Sequence, residues 1–418
     1  MAVEEAAAAG KRKPAPGGGV RGGKRRRGTG DWAQIPDDIL LCIFRAVVLS
    51  GSAAGAFAAV CRPWRALAAA SRKALASATP PLLLRPDWGE AAMCPAGPVA
   101  ARRRWRPGRA RPRLRAASPG AAAAGGGLLL PPLPPRFLRT RAVCQSRGYL
   151  ITVDRSTSRP ALTNPLTGEE LRPFPPLRDP PFPDAASSLM MGAVLGDPAS
   201  PAPTDCRIVL YCADGSFRTC VSGVGGGGGT AAAAWDTTYW DMLLNDGHPV
   251  QLAAVRGRVH ALLSSGDLLL FDFRLSFHHM RLPIEEKPSA FRLKHKMGPY
   301  LVEHDGKAFT VHCTFVPSSV PPGMVEFRVC RLVRRRWVEQ ESLDGMALFV
   351  DARGSAVLRS RPGGWGGKEN HVYASGWRWD GWKVFPFGVP IRSEDLPVDD
   401  SVEAHWPSPC WMLPCSCY

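Results

Sequence analysis

The feature that most constrains this chain is a strand–turn–strand unit that returns through its C-terminal part. Gly148-Tyr149-Leu150-Ile151-Thr152-Val153 reads as one strand and Ala161-Leu162-Thr163 as the next. Between them and the following segment, Asn164-Pro165-Leu166-Thr167-Gly168 is a turn, because Asn-Pro starts one and Gly168 tolerates positive φ. The unit comes back at 257–262 with 268–272, and again at 301–303 with 308–311. Val325, Phe327 and Val329 then alternate with Glu326 and Arg328, the period of a half-buried strand. Trp337-Val338 and Leu348-Phe349-Val350 follow.

The spacing carries the fold. Gly257 and Gly306 lie 49 residues apart, Gly306 and Gly354 48, and Gly148 and Gly257 109. The longest interval reads as two units with an insertion, visible in the Gly run 225–229 and in Ala231–Ala234. A period of about 50 residues with several strands per unit is the kelch-type propeller signature. Residues 140–418 leave room for roughly five or six such blades. Radial closure would keep the sheet edges short and protected. A plain β-sandwich assembly is the competing architecture.

Residues 35–75 carry a helical signal instead. Pro36 suits a first helical turn, where its missing N–H is no loss. Asp37 and Asp38 sit near the positive end of the helix dipole. Ile39, Leu40, Ile43, Phe44 and Val47 share one apolar face. Ser50-Gly51-Ser52 breaks the pattern, and Ser52 can cap a second short helix with Ala56, Phe57, Ala59 and Val60 on its apolar side. Pro63 can open a third, with Trp64, Leu67 and Ala68 along it. Three short helices in about 40 residues form a very small core, which calls for a partner.

Charge is distributed unevenly. Residues 11–27 hold eight basic residues and no acid: Lys11, Arg12, Lys13, Arg21, Lys24, Arg25, Arg26 and Arg27. Residues 102–115 hold eight Arg and no acid. Taking those sixteen from the net +17 leaves +1. A basic body that wraps DNA is therefore not expected, since counterion release needs charge on the bound face. Lys11-Arg12-Lys13 and Lys24-Arg25-Arg26-Arg27 on a flexible spacer resemble a bipartite nuclear import signal, with a solvated basic tail as the alternative. Residues 92–136 are almost only Ala, Arg, Pro, Gly, Leu and Ser and show no apolar period. Two readings stand: a flexible basic linker, or a shifted frame through GC-rich coding sequence. The expected divisions are a disordered basic arm (1–31), the helical segment (32–76), a linker of partly low complexity (77–139) and the β domain (140–418).

The N-terminus lacks the apolar core of a secretory signal. No run of about 18 apolar residues exists, so no membrane span is expected. With no Asn-x-Ser/Thr site, these features point to a reducing interior, nuclear or cytoplasmic, with most of the twelve Cys free. No phosphate-loop, His-Glu-x-x-His or Gly-x-Ser-x-Gly pattern occurs. His278 and His279 are adjacent and would point to opposite faces of a strand. Cys410, Cys415 and Cys417 lack a fourth zinc ligand at suitable spacing. No catalytic residue, metal or cofactor is expected. Trp377, Trp379, Trp382, Trp406 and Trp411 read first as packing residues and second as anchors at a propeller mouth.

Ile35-Pro36-Asp37-Asp38-Ile39-Leu40-Leu41-Cys42-Ile43-Phe44, followed by Val60-Cys61-Arg62-Pro63-Trp64-Arg65, resembles an F-box. The downstream part resembles the plant F-box proteins with a kelch-like domain of unknown function. Pro80-Pro81-Leu82-Leu83-Leu84, the 164–168 turn, Tyr300-Leu301-Val302-Glu303, the run 342–350 and Trp406–Trp411 carry that likeness. It covers most of 32–84 and 140–414 and fails across 92–136. The fold it implies is an α+β multidomain chain: a three-helix F-box, then a mainly antiparallel β-propeller. The role it implies is non-catalytic, as substrate receptor of a cullin–RING ubiquitin ligase. Ile35, Pro36, Leu40, Ile43, Phe44, Val60, Cys61 and Trp64 would dock a Skp-type adaptor bound to cullin, and the β domain would hold an unknown protein substrate. The apolar side chains of that set would form an exposed patch needing cover. The alternative is a nuclear β-propeller that binds nucleic acid or protein without a ligase role.

Overall fold

The computed structural model describes residues 34–49, 57, 60–78, 81–87, 113–117, 128–129, 410–412 and, with several loops left aside, 140–396. The basic arm, the Gly run 225–229, Ser52 and the Trp residues 377, 379 and 406 lie outside the described residues.

Two helices are described, α1 (Asp37–Leu49) and α2 (Arg62–Ala78), and Phe57 and Val60 between them are also helical. The rest is mostly antiparallel β. Strands β1 (Leu82–Asp87), β2 (Arg113–Ala117) and β3 (Leu128–Leu129) form part of one sheet, to which the end of the chain returns. Two of these strands fall in the stretch without an apolar period. They hold by backbone pairing, Leu83 opposite Ala117 and Ala116 opposite Leu128, which hydrophobic patterning does not reveal.

Five successive sheets follow as blades of a β-propeller. Blade one is β4 (Thr140–Ser146), β5 (Tyr149–Asp154), β6 (Pro160–Thr163) and β7 (Glu170–Leu171). Blade two is β8 (Leu189–Gly196), β9 (Cys206–Cys212), β10 (Ser216–Val221) and β11 (Asp236–Tyr239). Blade three is β12 (Pro249–Val255), β13 (Arg258–Leu263), β14 (Leu268–Asp272) and β15 (His278–Leu282). Blade four is β16 (His295–His304), β17 (Lys307–Phe315), β18 (Met324–Val333) and β19 (Arg336–Glu339). Blade five comprises β20 (Ala347–Asp351), β21 (Ala356–Arg359), β22 (His371–Ser375) and β23 (Trp382–Pro386). Two short strands end the described chain. β24 (Ile391–Arg392) pairs with β18, and β25 (Cys410–Met412) pairs with β1, completing the sixth sheet.

The sequence intervals map onto this order. Gly148, Gly257 and Gly306 each turn a first strand into its second, with φ of 84°, 72° and 71°. The 109-residue interval spans blades one and two, and its insertion is the β10–β11 connection. Blade five departs from the pattern: its order is β21-β20-β22-β23, and β20 and β22 run parallel.

Alternation explains how the core is shared. The inner strands are clothed on both faces by neighbouring blades, so their odd and even residues serve different layers. On β9, Ile208 and Leu210 pack toward blade one, whereas Val209 and Tyr211 pack toward blade three. On β16, Leu301 joins the layer with blade three, and Tyr300 and Val302 the layer with blade five. On β20, Leu348 and Val350 face blade four, and Phe349 meets Trp411 of the sixth sheet. Each such fully buried apolar side chain contributes about 1.5–3 kcal/mol. Polar ties cross the same seams. Tyr300 donates to the Asp351 carbonyl at 3.1 Å, and Trp337 Nε1 donates to the Gly266 carbonyl at 2.8 Å. Trp411 Nε1 donates to the Val350 carbonyl at 3.1 Å. Among the described residues, no helix is long and apolar enough to cross a membrane.

Candidate functional site

The helical unit is the first candidate. Asp37 and Asp38 occupy the first turn of α1, and the Leu40 amide donates to the Pro36 carbonyl at 3.0 Å. Leu40, Phe44, Phe57, Trp64 and Ala68 form a small core, with Ile35, Ile43, Cys61 and Leu67 packed around it. Phe57 stands between its aromatic neighbours, 4.6 Å from the Phe44 ring and 4.4 Å from that of Trp64. The expectation that Leu40, Phe44 and Trp64 face outward is therefore corrected, since they are 0%, 1% and 6% exposed. The physical reason is Phe57, which supplies an aromatic partner to both helices and closes the core within the unit. Pro36 is exposed, Ile39 and Val60 are both 49% exposed, and Ile35, Ile43 and Cys61 are half-buried. The outward apolar surface is thus built on Ile39 and Val60.

The second candidate is a cavity of about 540 Å³ at the seam of blades three and four. Three turns border it: β12–β13, β16–β17 and β18–β19. They bring up Arg256, Arg258, Lys307 and Arg334, with Val255, Ala308 and Leu332 as an apolar floor and His260 on the wall. Arg256 and Arg334 have left-handed backbones, φ 48° and 57°. The Arg256 guanidinium donates through Nε to the Gly306 carbonyl, which joins the first two turns. No acid is among the described residues lining the cavity, although Glu303, beside the β16–β17 turn, accepts from the Gly306 amide at 2.7 Å. Burial holds the His260 imidazole below its usual pKa, opposed by its hydrogen bond with the Arg258 carbonyl and aided by the Arg258 charge.

Other polar groups are spent on structure. His312 is fully buried on β17 and shares a proton position with His295, Nδ1 to Nε2 at 2.9 Å, while its Nε2 meets Thr310 at 3.0 Å. Burial, reinforced by His295 and Arg328, pushes the His312 pKa down to about 3, so the ring is neutral. Asp267 accepts from Arg281 at 2.6 Å, Lys287 at 2.5 Å and the Ile284 amide at 3.1 Å. Cys144, Cys313 and Cys330 are free thiols pushed by burial to pKa values of about 12. They are protonated at neutral pH and are poor nucleophiles.

The positions singled out from sequence fall in different places. His260 lines the cavity, whereas His279 lies against Trp240, ring centroids 5.5 Å apart. Trp411 is fully buried and packs between blades, as expected for it, and Trp382 packs beside it. Cys415 and Cys417 lie outside the described residues, as do Lys11, Arg12, Lys13, Lys24, Arg25, Arg26 and Arg27. Among the described residues no group of His, Cys, Asp and Glu is arranged to hold a metal. The cavity cations escape the sequence because Arg256, Arg258 and Lys307 stand alone, and Arg334 belongs to a three-Arg run whose other two members pair with acids. Their one signal is position: each flanks a turn of the repeating unit.

Residues 127–398 match the family described as KIB1-4 beta-propeller, which is 272 of the 418 residues. No curated protein matches the chain. Among solved structures, BBS1N in complex with ARL6DN is 12% identical at a TM-score of 0.29, covering 56% of this chain and 62% of that one. Raptor from Chaetomium thermophilum is 11% identical at a TM-score of 0.27, covering 47% of this chain and 15% of that one. The PQQ-bound aldose sugar dehydrogenase of Streptomyces coelicolor is 13% identical at 0.26, covering 52% and 75%.

Proposed function

The chain belongs to the KIB1-4 β-propeller family, and from that premise we propose that it is the substrate receptor of a cullin–RING ubiquitin ligase. In this reading α1 and α2 are parts of an F-box that docks a Skp-type adaptor bound to cullin. The propeller, kelch-like in its repeat length, presents a protein target in the nucleus or cytoplasm, and the chain itself performs no catalysis. The observation that carries the reading is the helical unit. It closes a five-residue core of its own and still leaves Ile39 and Val60 on its surface, ahead of a propeller. Exposed apolar side chains on so small a unit suit burial against a partner's helices.

The test is affinity purification of the tagged full-length chain with mass spectrometry, beside an Ile39→Asp/Val60→Asp variant. Phe44 and Trp64 are buried, so their loss would unfold the unit and prove nothing about docking. Recovery of adaptor and cullin with the wild type alone is the expected result. Recovery with neither protein removes the ligase reading and leaves a nuclear propeller that binds nucleic acid or protein.

A further inference from the structure

The cavity between blades three and four has cations without counterions. Arg258, Lys307 and Arg334 line it, all exposed, and none of the three side chains has an acidic partner among the described residues. Arg256 is tied only to a neutral carbonyl. The contrast one residue along is direct: Arg335 and Arg336, on the same β18–β19 turn, reach Glu285 and Glu286. Four like charges gathered by three turns repel one another, and among the described residues none of the four has a carboxylate partner. An anion arriving from outside would offset that repulsion.

We propose that this cavity binds a phosphorylated side chain of a protein ligand, the phosphate seated among Arg256, Arg258, Lys307 and Arg334. As an anchor for a ligase substrate it rests on the receptor reading above. A phosphate monoester carries nearly two negative charges and three acceptor oxygens, which matches several donors converging from different turns. The volume, about 540 Å³, exceeds what phosphate alone fills and lies in the range of sites that hold a larger ligand. The remaining lining is aliphatic: Val255, Ala308 and Leu332. That floor suits the residues flanking a phosphorylated side chain. It offers no aromatic face on which a nucleic-acid base could stack.

The experiment uses the purified full-length chain and a fluorescent heptapeptide of Gly and Ser with one phosphoserine flanked by Val and Leu, read by anisotropy. Its unphosphorylated twin and inorganic phosphate are the comparison ligands. The phosphopeptide is expected to bind, its twin not, and inorganic phosphate to compete only at far higher concentration. Arg258→Ala/Lys307→Ala is expected to weaken binding by about a hundredfold, roughly tenfold for each charged donor removed. Arg335→Ala/Arg336→Ala, which removes paired cations of the same blade, should bind as the wild type does. Equal binding of the two peptides, or full binding by Arg258→Ala/Lys307→Ala, overturns the proposal. Inorganic phosphate binding as tightly as the phosphopeptide overturns the protein-ligand assignment in favour of a small phosphate. Adaptor capture is measured on the same variants. Peptide binding without adaptor capture sinks the ligase reading alone, and adaptor capture without peptide binding sinks the cavity alone.

Discussion

The two ends of β13 treat positive charge in opposite ways. Beyond its last residue, the buried Asp267 collects Arg281, Lys287 and the Ile284 amide and so pins the segment after β15. At its start, Arg256 and Arg258 join Lys307 and Arg334 around an open cavity with no acid among its lining residues. One end is a finished network, centred on a buried carboxylate and satisfied within the chain. The other is a network missing its anion. The difference teaches that net charge of a domain is a poor guide to binding: the same strand carries a structural cation cluster and an unsatisfied one, and only the pairing separates them.

That contrast can be broken most strongly at Asp267. Burial alone would raise its pKa, but the hydrogen bonds and charge of Lys287 and Arg281 hold it below the usual carboxylate range. Asp267→Asn strands two cations, and because both are partly exposed the expected loss is about 2 to 3 kcal/mol, read by urea unfolding at pH 7. The sign with pH follows from the depressed pKa. The stabilisation is complete above about pH 4 and is lost as pH falls through the folded value. The gap between wild type and Asp267→Asn should therefore narrow on acidification below that point. A gap that stays constant to pH 2 would show that the carboxylate charge is not what holds the segment.

A smaller effect is expected at Trp337, which holds the same end from blade four. Trp337→Phe removes the donor to the Gly266 carbonyl and trims a side chain that is 2% exposed. About 2 kcal/mol of stability should go, combining an unmet carbonyl with a small void. The smallest effect belongs to the open end. Lys307→Ala should leave the unfolding midpoint unmoved, because an exposed, unpaired cation supports nothing in the fold. A clear destabilisation by Lys307→Ala would place that lysine among the structural charges and erase the distinction.

Sequence patterning reached the fold where alternation was clean and turns were marked by glycine. β13, β14 and β18 stand where Val259, Leu262, Val325, Phe327 and Val329 put them. Blade two was harder to see. Residues 206–212 are apolar almost throughout because both faces are covered, so the period of two has no polar phase to show it. The strand exchange in blade five could not be read either, since local preference is the same whichever neighbour β20 chooses. In the helical unit the apolar face was evident, but a face does not say what covers it. Phe57 covers part of it, and that turns Phe44 and Trp64 inward. The cavity was the least legible, because its cations are scattered from 256 to 334 and become neighbours only when blades three and four stand side by side.

The pairing of β25 with β1 has a consequence for how the protein is made. Leu83 and Trp411 are 328 residues apart in the chain, yet the two lie in adjacent strands, opposite each other. Domains tend to fold from the N-terminus as they emerge, but this sheet waits until β25 has been made. A chain that stops short of Cys410 would leave Leu83 uncovered and the Val350 carbonyl without its indole donor. The first sheet of the domain thus stays open along β1 until a segment more than three hundred residues downstream is present to pair with it.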